Sequence, residues 1–115
     1  MTWHQEDGLV VLSPEGDLRE GPESDRVEAA LAEWAGQRQR VIVDLSRTGR
    51  LTARGLGILA RAHQESIRHG GRIGVCGATA LHLWVLRITC VAKFLAVYKT
   101  KAAAVAALSG VQAVA

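Results

Sequence analysis

The segment Arg40-Val-Ile-Val-Asp-Leu45 constrains the fold more than any other part of the chain. Its three consecutive β-branched residues form a short apolar run without polar alternation, the pattern of a strand covered on both faces. Such a strand belongs to a mainly parallel sheet, whose neighbouring strands must be joined by crossovers long enough to hold a helix. The flanking sequence supplies them. Val27, Ala30, Leu31 and Trp34 fall at i, i+3, i+4 and i+7, in a stretch opened by Pro22 and closed near Gly36, which predicts a helix. From Thr52 the helical period returns, with Leu56, Leu59, Ala60, His63 and Ile67 on one side and a stop at Gly70-Gly71. Arg72-Ile-Gly-Val-Cys76 then reads as the next strand.

Leu9-Val-Val-Leu-Ser13 predicts an earlier strand that ends at Pro14 and pairs across an Asp7-Gly8 turn with residues near 2–6. Leu81, Trp84, Val85 and Ile88 have helical spacing within 79–88, Lys93 to Tyr98 returns to strand, and Thr100 opens an Ala-rich helix closed by Gly110. The last five residues, 111–115, are expected to fray. The order β-β-α-β-α-β-α-β-α predicts an α/β domain with a mixed, mostly parallel sheet of four to five strands, about four helices and right-handed crossovers. At 115 residues and 49% hydrophobic, the chain suits one domain spanning 1–115, burying roughly 65% of its unfolded surface. Disordered, collagen-like and disulfide-stapled classes are excluded.

The sequence argues against several chemistries. Histidines 4, 63, 69 and 82 are scattered without metal-ligand spacing, and His63 reads as a core-edge residue. Gly49, Gly55 and Gly57 lie between a strand and a helix, yet neither GxGxxG nor GxxxxGK[ST] is present. With no GxSxG elbow either, neither an enzyme nor a cofactor is expected. Cys76 and Cys90 lack any CxxC spacing and read as buried small hydrophobes in a reducing compartment. No basic leader or long apolar run is seen, so a cytoplasmic protein without membrane insertion is expected.

Charge is unevenly placed. Residues 1–45 hold ten acids against four arginines, whereas residues 46–115 hold ten bases against Glu65 alone. Such asymmetry marks an acidic-partner face, unless the fold interleaves the halves and mixes the signs. The basic half also suggests nucleic acid, but five aromatic residues in the chain are too few for a stacking surface.

The run Val41 to Ala62 resembles the STAS domain family (sulfate transporter and anti-sigma-factor antagonist). In that family a buried strand ending in Asp-Leu-Ser, here Asp44-Leu45-Ser46, is followed by a loop and by Asp-Ser-Ser-Gly-Leu-Gly opening a helix. Gly16-Asp17-Leu18 is similar to its Gly-Glu-Leu-Asp segment, and Gly70-Gly71-Arg72 to its Gly-Gly-Arg before the fourth strand. The resemblance implies a regulatory module that binds a kinase-type anti-sigma factor or related ATPase. It also implies a switch: a phosphate on a Ser or Thr at the helix start adds about two negative charges and weakens the complex. Here the motif reads Thr52-Ala53-Arg54-Gly55, so both serine positions lack a hydroxyl and the acid has become Thr52. Arg19 stands where the Gly-Glu-Leu-Asp segment ends in Asp.

At 100° per residue, Arg54, Arg61 and Arg68 share nearly one azimuth, with Glu65 beside them and Ile58 about 40° away. This is either a solvated face with an Arg61–Glu65 pair, or a docking stripe for an acidic protein extended by Arg47 and Arg50. Thr52 is read as an N-cap residue in preference to a phosphoacceptor. The three tryptophans are read as core or edge packing. The expected contact set is therefore Arg47, Arg50, Thr52, Ala53, Arg54, Ile58, Arg61 and Arg68, with Thr52-Ala53-Arg54 as a degenerate phosphosite. The expected function is a non-enzymatic antagonist without the standard switch. Its alternative is an accessory subunit on the ATPase of a lipid-transport ABC complex, and a homodimer is left open.

Overall fold

The computed structural model describes residues 1–109, so the helix end expected at Gly110 and the tail at 111–115 lie outside the described residues. The chain opens with a hairpin in which β1 (Thr2–Glu6) pairs antiparallel with β2 (Leu9–Ser13). Asp7 and Gly8 between them have φ of 53° and 77°, the positive values a two-residue hairpin turn requires. There follow β3 (Gly16–Leu18), α1 (Pro22–Gly36), β4 (Arg40–Asp44), a 3-10 turn (Leu45–Arg47), β5 (Thr48–Leu51) and α2 (Ala53–His69). The chain continues with β6 (Arg72–Cys76), α3 (Ala80–Ile88), a 3-10 turn (Val91–Lys93), β7 (Ala96–Val97) and α4 (Lys101–Leu108).

The main sheet has the order β1-β2-β4-β6-β7, and every pairing but the first is parallel. Alternation along its strands feeds two cores. Val10, Leu12, Val41, Val43, Ile73 and Val75 pack beneath α1 and α2, while Leu9, Val11, Ile42 and Cys76 pack against Ala104 and Leu108 of α4. This two-sided burial is what the unbroken Val41–Val43 run requires. Gly74 lets α4 and Tyr98 close on β6, since a Cβ there would stand 2.9 Å from the Tyr98 ring.

The structure departs from the sequence reading in several places. β3 and β5 pair in a separate two-stranded parallel sheet, whereas that sequence reads as loop; three or four partly exposed residues carry no usable alternation. The strand expected over Lys93 to Tyr98 shrinks to Ala96–Val97, because Val91 and Leu95 reach the core through a helical turn.

In α2 the inward side is Gly55, Ile58, Leu59, Ala62 and Ser66. Ile67 is 64% exposed, and Ile58, expected at the contact surface, is 2% exposed in the core. Gly55 sets this rotation: a Cβ on it would lie 2.8 Å from Leu18 Cβ and 2.9 Å from Leu51 Cδ1, so only that side of the helix can approach β3.

In α3 the buried residues are His82 and Leu86, and Trp84 is exposed instead of packed in the core. Cys90 is exposed with a left-handed φ of 65°, unlike Cys76, whose thiol burial pushes up to about 11.

The corrected phase of α2 is directly measurable. Ile58→Ala should cost about 2–5 kcal/mol in urea unfolding, as for other buried aliphatic truncations, while Ile67→Ala should change stability by less than about 0.5 kcal/mol.

Candidate functional site

The start of α2 lies on β3 and beside α1. Thr52 occupies the N-cap position, and its carbonyl accepts from Leu56 N at 2.9 Å. Its hydroxyl does not cap, contrary to the sequence reading. It donates to Leu18 O at 2.7 Å, and Thr52 N–H donates to the same carbonyl at 3.3 Å. The motif's one hydroxyl thus serves to tie α2 to β3.

One residue further on, Arg54 turns towards α1 instead of outward. Its Nη2 stands 3.0 Å from both Asp25 Oδ1 and Glu28 Oε1, and its Nη1 is 3.2 Å from Glu28 Oε2. Glu20 adds a carboxylate 3.9 Å from Nε, which is buried without a hydrogen-bond partner among the described residues. Only 20% of the Arg54 side chain is exposed. The hydrogen bonds that Arg54 donates to Glu28 and then to Asp25 raise the guanidinium's already high pKa further. The cost of a cation in the first turn of a helix is thereby offset by three acids from α1 and the loop before it.

The outward arginine stripe is therefore corrected. Arg61 also reaches α1, meeting Glu28 Oε2 at 2.7 Å, and Glu65 pairs with Arg68 at 3.1 Å instead of with Arg61. Arg47 lies exposed against Glu15 at 3.2 Å. Arg50 donates its backbone N–H to Asp17 Oδ1 at 2.7 Å, but its exposed guanidinium forms no ion pair among the described residues. Ala53 is exposed in the first turn of α2. Arg47, Arg50, Ala53, Arg61 and Arg68 remain at the surface, Thr52 and Arg54 are partly enclosed, and Ile58 is internal.

Sequence reasoning missed the residues that make this arrangement. Asp25 and Glu28 are one turn apart on α1, which the sequence shows, but nothing in it relates them to an arginine 26 residues away. It also missed His82. Its Nδ1 accepts from Thr79 N and its Nε2 donates to Gly49 O at 2.5 Å, while Thr79 Oγ1 caps His82 N at 3.1 Å. This fixes α3 beside β5; the Thr79-x-x-His82 spacing of a helix-start cap was the available signal.

No family model and no curated protein matches the sequence, so likeness is found in structure. An anti-sigma factor antagonist from Mycobacterium paratuberculosis superposes with a TM-score of 0.81 at 23% identity, covering 93% of this chain and 91% of that one. A STAS domain protein from Planctomyces limnophilus gives 0.76 at 18%, covering 94% and 97%. The SulP transporter STAS domain from Vibrio cholerae gives 0.72 at 21%, covering 90% and 83%. The fold is that of the STAS domain.

Within this STAS-like domain, the Thr52-Ala53-Arg54 segment carries a charge clamp at the helix start. Its pH dependence follows from Glu28. Hydrogen bonding from Arg54 holds the Glu28 carboxyl below its ordinary value of 4.5, so near that pH the folded chain binds fewer protons than the unfolded one. The clamp's contribution is complete above about pH 4.5 and is lost as pH falls through the lowered value. Arg54→Ala should therefore lower the melting temperature at pH 7 and narrow its deficit towards pH 3. In an Arg54→Ala/Glu28→Gln cycle at pH 7, the double variant should be more stable than the sum of the single losses predicts.

Proposed function

We propose that this STAS-like domain is a protein-binding regulatory module of the anti-sigma factor antagonist kind, in which a fixed charge clamp stands in place of a phosphorylation switch. The observation that carries this reading is the Arg54 guanidinium held by Glu28, Asp25 and Glu20. Residues 53 and 54 offer no hydroxyl, and the Thr52 hydroxyl is engaged with Leu18 O. Added phosphate there would lie beside three carboxylates already gathered around the helix start, a repulsive arrangement.

The partner is a protein with an acidic contact surface, such as a kinase-type anti-sigma factor or related ATPase. Its contacts are the exposed side of the motif: Arg47 and Arg50 on the β5 side, Ala53 at the helix start, and Arg61 and Arg68 along α2. Arg50 contributes most to steering, because it brings a charge not already neutralised within the chain. Binding is set by availability of the partner and not by the phosphorylation state of the module.

The test pairs the purified protein with kinase-type anti-sigma factors of the same genome, with magnesium and ATP or ADP. A complex should form equally with either nucleotide, intact mass should show no added phosphate, and Arg50→Glu should weaken binding about tenfold at low salt, less at high salt. Stoichiometric phosphate on Thr52, or loss of the complex with ATP, would overturn the proposal. Binding to the ATPase of a lipid-transport ABC complex, with none to these kinases, would replace it with the accessory-subunit reading.

A further inference from the structure

Among the described residues, six of the seven large hydrophobic side chains that stand exposed fall between Ile67 and Phe94. Four of them are on α3. Leu81, Trp84 and Ile88 are 62%, 56% and 55% exposed, and Leu83 is 39% exposed. The opposite side of the helix is fixed inward by His82 and Leu86, so this apolar face is held outward by the fold and is not a frayed end. Leu81, Trp84 and Ile88 share one side of the helix and form a ridge.

The spacing of the ridge points to what covers it. Steps of three and four residues from Leu81 to Trp84 to Ile88 are the a, d, a positions of a helix-packing seam. Arg87 then occupies a g position at the margin, where a charge faces the partner helix. Arg87, and beyond the helix Lys93 and Lys99, are exposed and form no ion pair among the described residues. No Asp or Glu follows Glu65 in the sequence.

The geometry points to α3 as a docking ridge for an amphipathic helix of a protein partner, one whose apolar seam is edged with carboxylates. A second copy fits poorly, since pairing two α3 ridges brings Arg87 against Arg87 with no acid from that segment. A lipid surface fits poorly as well. Helices that lie in a membrane interface carry their cations along the polar face, whereas the side of α3 opposite the ridge holds His82 and Leu86 buried in the protein and the helix carries Arg87 as its one basic residue besides His82. The ridge lies on a different helix from the α2 surface and does not depend on the function proposed for it.

Two synthetic helical peptides of about three heptads test the ridge, with the same Leu seam and either Glu or Lys at the flanking positions. Fluorescence polarisation should show the Glu peptide binding at least about tenfold tighter than the Lys peptide, with affinity falling as salt rises. Trp84→Glu and Ile88→Glu should each weaken it at least about tenfold while retaining the parent circular dichroism spectrum. Arg87→Glu should reduce or reverse the preference for acid, and Arg38→Glu, exposed beyond the end of α1, should leave it unchanged. Absence of binding to either peptide, or equal binding unaffected by Trp84→Glu, would overturn the proposal. So would a dimer in light scattering that Trp84→Glu abolishes, or vesicles containing phosphatidylglycerol binding in a Trp84-dependent way without any peptide preference.

Discussion

The contact of α2 with β3 and α1 at Gly55 and Arg54 is the constraint on which the rest of the site depends. Because residue 55 has no side chain, the helix start descends onto Leu18 and Leu51 until an added methyl group would overlap both. That approach fixes the rotation of α2 and carries the neighbouring Arg54 against α1. A guanidinium so enclosed, at the positive end of a helix, requires compensation. Glu28 gives both of its oxygens to Arg54 and shares one with Arg61, so a single carboxylate joins two turns of α2 to α1. Packing and charge therefore select the same docking of the two helices.

This docking also disposes of the charge asymmetry in the sequence. Acids of the first half meet bases of the second across the fold: Glu15 with Arg47, Asp25 and Glu28 with Arg54, Glu28 with Arg61, and Glu6 with Lys101. Half of the ten bases after residue 45, Arg47, Arg54, Arg61, Arg68 and Lys101, are paired within the chain. The guanidinium or ammonium groups left without an ion pair among the described residues are those of Arg72, of Arg50 near β5, and of Arg87, Lys93 and Lys99 around α3 and β7. The last two of these regions adjoin, because His82 ties α3 to the Gly49 carbonyl of β5.

The parts of the fold visible in the sequence are those governed by local periodicity and turn chemistry. The Val41–Val43 run marks a strand covered on both sides, Asp7-Gly8 marks the hairpin, and Pro22 with Val27, Leu31 and Trp34 marks α1 to its ends. What escaped depends on distant residues. The rotation of α2 follows from a glycine meeting Leu18, which apolarity alone ranks below Ile67. The face of α3 is decided by His82, a polar residue held inward by Thr79 and Gly49, so the side richest in Leu, Ile and Trp is the exposed one. The candidate site was marked out by its likeness to a known motif, but the packing of Arg54 was not legible there. An arginine at helical spacing with Arg61 and Arg68 looks solvent-facing until the acids of α1 are brought beside it.

Arg54 and the acids around it are best understood together. A phosphate at a helix start is ordinarily favoured by the backbone N–H groups and the positive end of the dipole. In this chain Asp25, Glu28 and Glu20 already supply negative charge there, and the guanidinium of Arg54 is what makes their gathering tolerable. Introducing a hydroxyl alone, as in Arg54→Ser, would not make a phosphate-ready site. It would leave the three carboxylates facing one another and the incoming phosphate, with only Arg61 still paired to Glu28. The electrostatics of the helix start are thus organised around a permanent cation, and fitting a phosphate there would require changes on α1 as well as α2.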